Sequence, residues 1–257
     1  MITIRNIFFG IVVVVLFSGC ISATQERVEK MLQTNSANSM KKDYTQITKE
    51  LIVFKDKLDK RNPSAYDKQL SNQIYTEINN LTNTLNLPFE NIQLHTYKEY
   101  LQIAFSKFEI KNRNDYLILG LYKEIYDAYD IQSGHQITAL TYDKNKLQNL
   151  YQNLQILKWK LSHAKDAKDE YLFLTWQNNW QIELEKRLKQ KEIKTYEDIL
   201  NLKYIKEGKE TLFSQSNMSF EVLLSSMMYH VKNSLETLGV EPVDVGLEAV
   251  KTMFIFL

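Results

Sequence analysis

Breakers are scarce in this chain: seven glycines and three prolines among 257 residues, against a usual share of about 7% and 5%. So few leave little room for a strand-and-turn fold and predict long helices. Cysteine is scarcer still, with Cys20 alone, so no disulfide within the chain is expected and no cysteine-ligated metal site. An excess of charge of one sign is missing too, since 32 basic residues face 31 acidic ones and the two signs are interspersed. A protein that neutralises many phosphates carries a basic excess or stripe, so nucleic acid is not expected as a partner.

Catalytic and cofactor signatures are absent as well. No Gly-x-Ser-x-Gly elbow, phosphate-cradling glycine loop or dinucleotide fingerprint occurs, so no cofactor is expected. Neither His-Glu-x-x-His nor Glu-x-x-His occurs, which removes the zinc-protease and di-metal carboxylate-bundle patterns. No repeat with a period of about 20 to 50 residues is visible, which argues against a solenoid.

What is present begins with Met1–Cys20. A polar start with the single charge Arg5 precedes an apolar run from Ile7 to Phe17, and Ser18-Gly19-Cys20 follows. The run is about 11 residues, against the roughly 20 that a spanning helix needs, so the layout is that of a signal peptide. Leu16-Phe17-Ser18-Gly19-Cys20 resembles the bacterial lipobox, with Phe17 where the family pattern usually has leucine. The resemblance implies that Cys20 becomes the lipid-modified first residue of the mature protein. Acyl chains of the palmitate type would then hold it on a membrane of the cell envelope. It accounts for the lone cysteine, whose thiol a thioether to diacylglycerol would consume. Ile21 is not the aspartate that retains such proteins at the inner membrane, which favours the outer membrane by the same sorting rule. Cleavage would remove Arg5 and no acid, leaving 32 − 1 = 31 basic residues against 31 acidic ones.

Three regions follow from this pattern: a signal peptide over 1–19, a lipidated N-terminus and tether over 20–39, and a helical domain over 40–257. In the last, Met40, Tyr44, Ile47, Leu51, Phe54 and Leu58 step four and three apart and predict a helix. Asn62-Pro63 reads as a cap and first position of the next, with Ile74 and Ile78 on its face, and Pro88 as the start of a third that ends near Lys111. Asn114 reads as the cap of a helix over Tyr116–Ile131 that is apolar on nearly every side and therefore central, ended near Gly134. Leu147, Leu150, Leu154, Leu157 and Leu161 predict a helix stopping near His163. Asp169 is read as opening one that carries Phe173, Trp176, Trp180, Leu184 and Leu188, Thr195 with Asp198 as capping one through Leu212, Ser219 as capping one that ends at Gly239, and Pro242 as starting the last. The expected fold is all-α, a single bundle-like domain of about eight antiparallel helices.

Few side chains stand out as chemistry. His95 and Glu99 lie four apart, but a solvated pair is the more economical reading than a metal site, and His135 belongs to a loop. Paired carboxylates remain open, because spatial separation is invisible in a sequence. Phe173, Trp176 and Trp180 form an aromatic ridge that is either core or a ligand platform. Two functions follow. The leading one is a non-enzymatic envelope lipoprotein whose helical domain binds a protein partner. The other is an enzyme or binding protein acting on cell-wall glycan, with Trp176 and Trp180 as the sugar platform. An apolar cleft lined by those rings and two carboxylates favours the second; closed packing around them favours the first.

Overall fold

The computed structural model describes residues 34–133, 142–214, 218–246 and 248–249. Cys20, Gly134, His135 and the apolar Met253–Leu257 lie outside them. The fold is all-α. Among the described residues α1 runs over 34–61, followed by α2 (Lys68–Asn80), α3 (Tyr97–Ala104), α4 (Arg113–Ala128), α5 (Lys144–His163), α6 (Asn179–Lys189), the short α7 (Tyr196–Leu200) and α8 (Lys203–Lys206), and α9 (Ser219–Thr237). One two-residue hairpin, β1 (Pro88–Phe89) with β2 (Ile92–Gln93), is the only named sheet among them. No described helix is long and apolar enough to cross a membrane.

The stripe from Met40 to Leu58 is wholly buried, and α1 already runs at residue 34 with Ala37 buried. Its partners are distant in sequence: Phe54 meets Phe220 of α9 edge-on at 5.5 Å, and Tyr44 lies 5.9 Å from Tyr129. Helix α4 is central as its composition implies, with buried residues on every side, and packs on α2, α3 and α5. It lies close to α3 at Gly120, where an added Cβ would come within 2.8 Å of Tyr100 Cβ. All five leucines of the α5 stripe are buried against this core.

Several boundaries differ from the sequence expectation. Asn62 does not cap α2. The chain turns over 62–67, and Asp67 caps the helix by accepting from Leu70 N at 2.8 Å. Asn62 instead ties the turn to a distant segment, its Oδ1 accepting from Leu174 N at 2.8 Å. Pro88 opens a strand, and α3 starts at the Thr96–Glu99 capping box, which also takes up the Glu99 carboxylate: it accepts from His95 N and Thr96 N at 2.9 and 2.8 Å. That helix ends at Ala104, leaving Phe108 exposed. Asn114 is buried inside α4 rather than capping it. The Thr195–Asp198 box is present, but the helix it starts ends at Leu200, and 242–246 are not helical.

Candidate functional site

The C-terminal end of α5 is the seed of the site. A helix leaves its last carbonyls without intrahelical donors, and here a returning segment supplies them. Thr175 Oγ1 donates to Leu161 O at 3.0 Å and Gln177 Nε2 to Ser162 O at 3.1 Å. Leu172 N donates to Ala164 O at 2.9 Å. The return is made by a tight loop rather than the helix expected from Asp169. Asp166 Oδ1 accepts from Lys168 N and Glu170 N at 2.8 and 2.9 Å, and Asp169 sits at φ 61°. Aspartate bonded in this way to nearby backbone competes with helix formation. Segment 171–177 is thereby laid along the last turn of α5.

Helix α6 follows, its N-terminus held by an acid from far along the chain. Glu210 accepts from Asn179 N at 3.2 Å, Trp180 N at 2.9 Å and Asn179 Nδ2 at 2.7 Å. A carboxylate against the first turn satisfies free donors and complements the helix dipole. The helix buries none of its residues, so Trp180 and Leu184, four apart, form a wall that is not closed over by protein.

These placements leave a cleft of about 890 Å³ between α5, α6 and α9. All three tryptophans of the chain line it: Trp159 from α5, Trp176 from the returning segment and Trp180 from α6. Tyr171 and His163 add rings, and Met228 and Val245 add apolar surface on the far side. The His163 ring stacks on Trp159 with centroids 4.8 Å apart and planes 7° from parallel. Its Nδ1 lies 2.9 Å from the Trp159 carbonyl. A carbonyl only accepts, so Nδ1 carries the hydrogen and Nε2 of the neutral ring is an acceptor.

Two carboxylates line the same cleft, and both are engaged. Glu221 pairs with Lys158, and Glu185 accepts from Lys165 at 3.2 Å and from the Tyr171 hydroxyl at 2.8 Å. Burial, reinforced by that carboxylate, pushes the Tyr171 phenol up to about 12. Lys165 also lies 4.5 Å from the centre of the Tyr171 ring. Of the glutamines, Gln177 is committed at both ends of its amide. Gln181 uses its Oε1 to accept from Asn178 N at 2.9 Å, which leaves the amide N–H₂ as a donor. Trp180 Nε1 is buried without an acceptor.

The three ridge residues proposed from sequence are separated. Trp176 and Trp180 reach the cleft, but on different elements, and Trp176 also packs on the core with its ring 6.1 Å from Phe220. Phe173 is 1% exposed and belongs to the core, 5.3 Å from Phe105. Trp159, His163, Tyr171 and Gln181 carried no signal as site residues. The one clue in the sequence is that all the tryptophans fall between 159 and 180. Among the described residues no group of three or more His, Cys, Asp or Glu side chains is arranged to hold a metal ion.

Comparison of the chain with protein-family models, with curated proteins and with solved structures finds no match.

Proposed function

We propose that this chain is a lipid-anchored envelope protein that captures a glycan in the cleft between α5, α6 and α9. The observation that carries the reading is the convergence of all three tryptophans on one open cleft. Exposed indole faces attract the C–H faces of sugar rings while their edges and neighbouring amides serve hydroxyls. Binding is favoured over hydrolysis because Glu185 and Glu221 each already pair with a lysine ammonium. Such pairs hold walls together, whereas glycoside cleavage needs one carboxyl free to give a proton.

Intrinsic fluorescence tests this directly, since no tryptophan lies elsewhere in the chain. Soluble β-linked oligosaccharides of glucose, mannose and N-acetylglucosamine are expected to shift or quench the emission saturably for at least one series. Trp159→Ala should weaken that binding by about tenfold. An emission unchanged by every series would overturn the reading. The anchor has its own test, because Cys20 is the sole thiol: Cys20→Ala is expected to abolish acyl labelling in cells, and undiminished labelling would refute the anchor.

A second reading, an envelope protein as partner, is favoured by the exposed Met218, Val222 and Tyr229 at the start and along one side of α9. Crosslinking from position 222 in intact envelopes distinguishes it: one discrete adduct supports a protein partner, and none removes it.

A further inference from the structure

The polar groups left free in the cleft define which sugar it suits, given the glycan reading above. Its charges balance within the protein, as Lys158 faces Glu221 and Lys165 faces Glu185. An anionic ligand would meet no unpaired cation there, which disfavours an acidic sugar. Among the polar side chains lining the cleft, the amide of Gln181 offers a donor, because its oxygen is held by Asn178 N. His163 offers an acceptor at Nε2, because Nδ1 is held by the Trp159 carbonyl and Ser162 Oγ, at 2.9 and 2.7 Å. The remaining lining is ring faces and the side chains of Leu184, Met228 and Val245.

A plain hexose brings C–H faces and hydroxyls only. A 2-acetamido sugar adds a carbonyl that accepts, an N–H that donates and a methyl group that prefers an apolar floor. We propose that the cleft selects a 2-acetamido sugar, with the acetamido carbonyl served by the free amide N–H₂ of Gln181 and its N–H by His163 Nε2. The methyl group then lies against the indole faces, where its removal from water adds to the selection.

The test uses two glycans of the same β-1,4 backbone, chitohexaose with acetamido groups and cellohexaose without them. Both are titrated calorimetrically into the full chain in detergent. Chitohexaose is expected to bind at least about tenfold more tightly. Gln181→Glu keeps the oxygen that Asn178 N needs and removes the donor, so it should fold and melt as the parent does. Its preference should fall to within about twofold, with cellohexaose affinity little changed. Equal affinity of the parent for both glycans overturns the acetamido proposal and leaves the glycan reading standing. A preference that survives Gln181→Glu overturns the role given to Gln181. No binding of either glycan overturns both.

Discussion

Replacing Lys55 by methionine is expected to cost about 3–5 kcal/mol, the toll of breaking a buried ion pair from one side. Lys55 is fully buried on the apolar face of α1, and its ammonium lies 2.8 Å from Asp59 and 3.2 Å from the equally buried Asp115 of α4. The rings of Tyr66 and Tyr75 flank it at 5.8 and 5.4 Å. Around it Asn114 donates to Asp59 at 2.9 Å, Ser71 donates to the same carboxylate at 3.3 Å, and Asp67 N donates to Asp115 at 2.8 Å. One ammonium and its two carboxylates therefore join α1, the 62–67 turn, α2 and α4.

Methionine keeps most of the volume, so the loss is electrostatic: two carboxylates remain buried with no counter-ion. A domain stability of about 5–15 kcal/mol leaves little margin for that. Burial already pushes the Asp115 carboxyl up to about 6, with Lys55 acting against it. Because its folded value lies above the unfolded one, its contribution to stability is fully present below about pH 4 and is lost as pH rises through about 6. Removing Lys55 raises it further. The defect of Lys55→Met should thus be greatest above pH 6 and shrink on acidification. Chemical unfolding followed by circular dichroism at two pH values measures it, and Asp115→Asn in the same chain should recover part of the loss. A midpoint equal to the parent's at neutral pH would show that the network contributes nothing.

Phe173→Ala and Trp180→Ala are expected to separate stability from binding. Phe173 is sealed in the core against Phe105, and truncating a buried phenylalanine removes its transfer energy and leaves a cavity, about 3–5 kcal/mol in all. Trp180 is half-buried on a helix that buries nothing. Its loss should cost about 1 kcal/mol or less in stability while weakening glycan binding. Thermal melts and the fluorescence titration, run on both variants, give the contrast. A large drop in melting temperature for Trp180→Ala with binding intact would make that ring core and remove it from the site.

Where packing repeats along one helix, the sequence was enough. The stripes of α1 and α5 and the all-round apolar α4 were legible because a period of three and four residues is a local property of the chain. The same spacing misled at 173, 176 and 180. Those residues mimic a helical face, yet side-chain to backbone bonds from Asp166 and donors owed to the end of α5 hold the segment 165–178 mostly out of helix. Proline misled similarly at 63 and 88, since a fixed φ suits turns and strand ends as well as first helical turns. Lys55 left a trace that could be read, standing four after Leu51 and three before Leu58 on the buried face. Its two aspartate partners lay 4 and 60 positions away, and only the first was within local reach.

The all-α class and the long helices were thus determined by composition and periodicity alone. The cleft was decided by tertiary structure. Its rings come from a helix, a returning loop and a second helix, and they meet only because the unsatisfied carbonyls at the end of α5 draw 172–177 back along it while Glu210 fixes where α6 begins. Which atoms remain free to meet a ligand was decided by the same bonds, since an amide or imidazole shows its unused end only after the other end has found its partner.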